Sequence, residues 1–135
     1  MPVQIVAEQE YFVGQDTVVE GAAPEGHFAA VFEDDGTTAY FYALDTSVEK
    51  QSIQDAMQIY NVANVTDRSK ASVVKVGWSV DSQKVVLIIN GYPHAVFDFR
   101  EKQGFCRTGF PPAPSNGLWS IQGHAWSEAA LELFA

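Results

Sequence analysis

Apolar positions along this chain recur mostly at the period of a β-strand, and turn residues occupy the breaks between them. His27 to Glu33 and Thr37 to Leu44 are β-branched and aromatic runs joined by Asp34-Asp35-Gly36, whose glycine supplies a positive φ. That pattern predicts a hairpin. Its second arm, Ala39-Tyr40-Phe41-Tyr42-Ala43-Leu44, has bulk on both faces and is expected to be an inner strand or one covered on both sides. Ser72 to Ser79 and Lys84 to Ile89 flank Val80-Asp81-Ser82-Gln83, and His94 to Arg100 follows the turn Asn90-Gly91-Tyr92-Pro93. Three strands with such short links predict an antiparallel meander. Val85 to Ile89 is apolar at every position, so its strand should lie centrally with both faces covered. Val3 to Val6 reads as an edge strand.

Helical periodicity is scarcer. Ile53, Ala56, Met57 and Tyr60 stand at i, i+3, i+4 and i+7 behind Ser52-Ile53-Gln54-Asp55, an N-terminal capping pattern. A short helix packed on the sheet is expected there. Ser127 to Phe134 predicts a closing helix with Trp126, Ala130 and Leu133 on one face; a terminal strand competes. Breaker residues gather at 21–26 and 109–117, which read as loops. The expected class is α+β and β-rich: an antiparallel sheet built from hairpins and a three-strand meander, with one or two short helices, in one domain spanning 1–135.

Composition supports a folded chain. Of 135 residues, 47% are apolar and 19% charged, enough for a core that needs neither metal nor disulfide. No apolar run approaches the roughly 20 residues that span a bilayer. The start, Met1-Pro2-Val3-Gln4, lacks the basic and apolar parts of a signal peptide. One cysteine, Cys106, cannot form an internal disulfide, so a reducing, cytoplasmic location is expected.

Charge is asymmetric. Residues 1–60 hold eleven acids against Lys50 alone, whereas residues 61–135 hold six acids and seven bases. The net charge of −9 repels polyphosphates and anionic lipid, so neither nucleic acid nor a membrane is an expected partner. A basic protein is. Glu33, Asp34 and Asp35, at the expected hairpin tip, are the candidate docking residues; plain solubility is the competing explanation for the acids.

Candidate chemistry is thin. Cys106 precedes Arg107, a cation that favours a thiolate, and His94 and His124 are available bases. Its setting, Gly104-Phe105-Cys106-Arg107-Thr108, suits a buried structural thiol better. His94, Asp98 and Arg100 share one strand parity opposite Ala95, Phe97 and Phe99, which suggests a polar site opposite a core face. Residues i and i+4 in a strand lie about 13 Å apart, so a direct His94–Asp98 dyad needs a bulge or a further strand. His27, His94 and His124 are too scattered for a metal motif, and Asp34-Asp35-Gly36 lacks the remainder of a calcium loop. No cofactor-binding fingerprint occurs. Trp119, His124 and Trp126 either present a recognition surface or lock the carboxy-terminal segment onto the sheet.

Several stretches together resemble a small bacterial family, domain of unknown function 2251: Val31-Phe32-Glu33-Asp34-Asp35-Gly36 with Tyr40-Phe41-Tyr42-Ala43, Ile59-Tyr60-Asn61-Val62, Ile89 to Phe99, and Cys106 to Pro112. The resemblance covers about Val13 to Trp126. It implies a bacterial, single-domain, cytosolic protein and brings no catalytic residues. The expected function is therefore a non-catalytic protein-binding domain, immunity-like or regulatory. The alternative is a small enzyme with a site around His94, Asp98, Arg100 and Cys106.

Overall fold

The computed structural model describes residues 3–48, 52–112, 119–121, 123–132 and 134. Nine strands dominate it: β1 (Val3–Tyr11), β2 (Thr17–Ala22), β3 (Phe28–Asp34), β4 (Thr38–Asp45), β5 (Ile53–Asn61), β6 (Ser72–Ser79), β7 (Lys84–Ile89), β8 (Tyr92–Asp98) and β9 (Gln103–Cys106). They form a five-stranded sheet in the order β1-β6-β7-β8-β9 and a four-stranded sheet in the order β2-β3-β4-β5. Every pairing within the two sheets is antiparallel. Helix is reduced to a 3-10 turn at Val62–Asn64 and α1 (Ala129–Glu132), shorter than the closing helix expected from Ser127 to Phe134. Leu133, expected on its apolar face, lies outside the described residues, as do positions 113–118 of the breaker-rich stretch. No helix among the described residues is long and apolar enough to cross a membrane.

The inner faces of the two sheets meet in one core. Phe32, Phe41, Met57 and Ile59 from the second sheet pack with Val74, Val76, Trp78, Leu87 and Phe97 from the first. Phe41 and Phe97 stack at 5.2 Å between the layers, and Phe28 stacks on Phe99 at 4.3 Å. Trp78 donates its indole N–H to the Gly21 carbonyl at 3.1 Å, which satisfies a buried donor while joining β6 to β2. Gly21 has to be glycine, because a Cβ there would stand 2.7 Å from a Val76 methyl.

β7 sits at the middle of its sheet. Val85 and Leu87 face the main core, while Val86 packs with Val96, Ala130 and Phe134 in a second cluster under the carboxy-terminal segment. The continuous apolar run thus reflects burial on two faces. β4 is likewise an inner strand.

The helix expected over Ser52 to Tyr60 is instead strand β5. Asp55, Met57 and Ile59 point inward and are buried, alternating with Gln54, Ala56 and Gln58. Ile53, which the helical reading buries, is 53% exposed. A carboxylate at a core position hid the two-residue period, and pairing with β4 overrides a weak helical pattern.

Candidate functional site

Four strands present the outer face of the second sheet. Register places Val18 opposite Glu33 and Glu20 opposite Val31; Tyr40 then lies between Glu33 and Gln58, and Tyr42 between Val31 and Ala56. Val18 is 62% exposed and Glu20 is exposed, while Val31, Glu33, Tyr40 and Tyr42 are half-buried. The Tyr40 and Tyr42 rings stack at 6.0 Å, and Tyr42 donates its hydroxyl to Glu33 at 3.3 Å. Burial and the Glu33 charge both push the Tyr42 phenol up. Residues 3–48 and 52–61 contain no lysine or arginine, so the acids of this face have no basic neighbour within the four strands. The result is an amphipathic, negatively charged aromatic face.

The acidic cluster Glu33-Asp34-Asp35 does not stand at the tip as a unit. Glu33 belongs to the outer face, and Asp35 is exposed in the turn, where it accepts the Thr37 and Thr38 N–H groups at 2.9 Å. Those backbone donors hold its carboxyl below the usual range. Asp34 corrects the expectation of three solvent-facing acids: it is fully buried. Its strand parity turns it inward with Ala30 and Phe32, and the loop after β1 closes over it. Asp34 accepts from Gly14 N–H at 2.8 Å, Gly36 N–H at 2.9 Å and the Tyr60 hydroxyl at 2.7 Å. Tyr60 in turn lies 2.9 Å from the Tyr11 hydroxyl. Burial, together with Tyr11 and Asp34, drives the Tyr60 phenol strongly upward, so it keeps its proton.

A second buried carboxylate organises the carboxy-terminal segment. Asp55 receives Ser120 Oγ at 2.7 Å, Ala56 N–H at 2.9 Å and His124 Nε2 at 2.9 and 3.0 Å. His124 Nδ1 stands 2.6 Å from the Pro111 carbonyl. Both ring nitrogens thus face acceptors, an arrangement that suits the doubly protonated imidazolium. Burial alone lowers the His124 value, but the hydrogen bonds that the ring donates to Asp55 and Pro111, with the Asp55 charge, outweigh it and raise the net value.

The constellation Ser120–Asp55–His124 contains the residue types of a hydrolytic triad without its connectivity. A nucleophilic serine must give its proton to a free imidazole nitrogen. Here Ser120 hydrogen-bonds to the aspartate, accepts Gly104 N–H at 2.7 Å, and is 1% exposed. The cluster is a latch that fastens Ser120 and His124 to β5 and β9. Gly104 fits beneath it only without a side chain, since a Cβ would approach Met57 Sδ to 2.8 Å and both His124 and Phe97 to 3.0 Å.

The polar residues read from β8 are dispersed. Asp98 is buried and caps the following turn by accepting Arg100 and Glu101 N–H groups at 3.0 and 3.2 Å. Arg100 extends into solvent with Asp81 3.9 Å away. His94 falls at a register shift between β7 and β8, where its ring meets Tyr92 edge-on at 5.5 Å. Cys106 is fully buried, with its sulfur 3.2 Å from Thr108 Oγ1 and 3.6 Å from the Phe110 carbonyl. Arg107 turns to the other side of β9, between the rings of Tyr92 and Trp126 at 4.5 and 3.9 Å. Native protein is therefore expected to react with a chromogenic disulfide reagent at pH 7 only as fast as it opens. Rapid stoichiometric labelling of Cys106 in buffer would contradict this.

Trp119 is buried against Phe97 and Phe99, so of the three aromatic candidates near the carboxy terminus only Trp126 has substantial surface. No three His, Cys, Asp or Glu side chains gather as a metal set among the described residues. Sequence reasoning missed Asp55, Ser120 and Tyr11. The signal for Asp55 was its parity with Met57 and Ile59.

No solved structure matches this chain. An uncharacterized protein of Haemophilus influenzae (strain ATCC 51907 / DSM 11121 / KW20 / Rd) is 37% identical over 123 residues, which cover 86% of this chain and 73% of that protein. A family model described as "uncharacterized protein conserved in bacteria" matches residues 11–135, a span that includes the Asp34 and Asp55 clusters and the acidic sheet face. By that match the chain belongs to the bacterial family domain of unknown function 2251.

Proposed function

We propose that this protein is a non-catalytic binding domain, immunity-like or regulatory, which docks a basic protein on the outer face of β2–β5. The observation that supports this reading is the stacked Tyr40–Tyr42 pair set among Glu20 and Glu33 on a sheet without lysine or arginine. Tyrosines supply large contact area at low conformational cost, and acids around them favour a cationic partner. A cytosolic setting suits a buried free thiol.

The test is a salt series on association with the partner captured from bacterial lysate, comparing the native chain with Glu20→Gln/Glu33→Gln/Asp35→Asn. Exposed charges act chiefly on encounter, with a reach of about 8–10 Å at physiological ionic strength. The triple variant should associate several-fold more slowly at low salt and unfold at nearly the same midpoint. Asp34 is left intact, because its carboxylate holds the fold. Association that is independent of salt and of these three residues would end this reading.

A further inference from the structure

Residues of both sheets line a cavity of about 380 Å³. Ile59 and Ile89 contribute aliphatic wall, Val65 stands at the edge, and four aromatic rings line the space: Tyr11, Tyr60, Tyr92 and His94. Tyr92 is 53% exposed and Asn90 is exposed, so the cavity opens to solvent. Its volume lies within the range of small-molecule sites, and such sites join apolar walls to a few fixed polar groups.

The direction of the hydrogen bonds gives those polar groups a sign. The Asp34 carboxylate accepts only, so Tyr60 must donate to it across 2.7 Å. The Tyr60 oxygen is then the acceptor for Tyr11 across 2.9 Å, and Tyr11 spends its one proton there. Tyr11, which lines the cavity, thus has no proton left to donate, and its oxygen can only accept, reinforced by the negative charge at the end of the relay. His94 adds a second polar group. No hydrogen bond reaches its ring nitrogens among the described residues, and burial with the nearby Arg107 charge lowers its value, so the imidazole stays neutral. Ser72 and Asn90 also line the space and bond each other at 3.3 Å, and Arg107 lies over the outer Tyr92 ring, so it is the Tyr11 acceptor with the Asp34 charge behind it that favours a ring donating a hydrogen bond over an anion.

We propose that this cavity is a binding site for a small phenolic molecule, its ring held among Ile59, Ile89, Tyr60 and Tyr92 and its hydroxyl donating to the Tyr11 oxygen. The aromatic lining favours a flat ring over an alkyl chain through edge and face contacts. The site is separate from the acidic outer face, since Tyr11 and Tyr60 reach Asp34 on the inward side of the second sheet.

Calorimetric or ligand-observed NMR titration of the full chain with p-cresol, toluene and p-toluate tests this, because the three differ only in what replaces one ring position: hydroxyl, hydrogen or carboxylate. The expected order is p-cresol bound most tightly, toluene about three- to tenfold more weakly, and p-toluate not bound, the first gap being that of one neutral hydrogen bond. Tyr11→Phe keeps the Tyr60–Asp34 bond and should lower p-cresol affinity to the toluene level, leaving toluene unchanged and the melting temperature close to native. Val65→Trp, which fills the cavity from a connecting segment, should abolish binding of both. Equal affinity for p-cresol and toluene, p-toluate binding as tightly as p-cresol, a Tyr11→Phe variant with native p-cresol affinity, or no binding of p-cresol at low millimolar concentration would each overturn the proposal.

Discussion

Replacing Asp55 by alanine should lower the free energy of unfolding by about 3–5 kcal/mol, the usual cost of removing one partner from a buried ion pair. The change strands His124 and Ser120 in a site where they are 1% exposed, and deprives Ala56 N–H of its acceptor. Asp55→Asn, which keeps the volume, should be less damaging. Chemical denaturation measures both. The pair also imposes a pH dependence. The folded value of His124 is raised above its unfolded value of about 6.5. The proton is thus held more tightly in the native state, and the associated stability is complete below about pH 6.5. It declines as the pH rises through the folded value. Denaturation curves from pH 6 to 9 should show the native chain losing this increment while His124→Gln does not. Parallel pH profiles for the two proteins would remove the imidazolium from the account.

Leu87→Ala is the other substitution of large expected effect. Leu87 is fully buried on the central strand, and truncation of such a leucine typically costs about 2–5 kcal/mol through lost transfer energy and the cavity left behind. The upper half of that range is expected, because the paired strands on either side prevent collapse into the gap. A loss under about half a kilocalorie per mole, the scale of a surface change, would be incompatible with the packing of β7.

The runs at 72–79 and 84–89 were legible as strands because Val74, Val76 and Trp78 alternate with Lys75 and Gly77 and because Val85 to Ile89 is continuously apolar, as a strand covered on both sides requires. β5 was not, and the reason is local. Asp55 occupies a core position and is compensated by residues 65 and 69 places further on, a partnership that no window of the sequence contains. Asp34 was hidden differently. Three consecutive acids read as surface, whereas strand parity places only the middle one inside, and its donors arrive from the loops at Gly14 and Gly36. The acidity of the first half was visible in composition, but the face it forms depends on register among four strands. The cavity beside Tyr11 and Tyr92 draws on segments from Tyr11 to His94 and exists only once the two sheets have met.

The carboxy-terminal latch has a kinetic meaning. The described residues beyond 118 are fastened to the sheets by one parallel bridge, Cys106 to Ala125, a few backbone bonds, the Asp55 cluster, Trp119 against Phe97 and Phe99, Arg107 against Trp126, and the small apolar patch around Phe134. Amides bonded within the ladders exchange with solvent only when strands part, whereas a flap held mainly by side chains has its own, shallower opening free energy. Detachment of that flap would bare Val86 and Val96 and would lift Trp119 off Phe97 and Phe99, while the strand ladders themselves stay paired. Amides of the described carboxy-terminal residues are therefore expected to exchange faster than those of the ladders, and Asp55→Asn to speed them further.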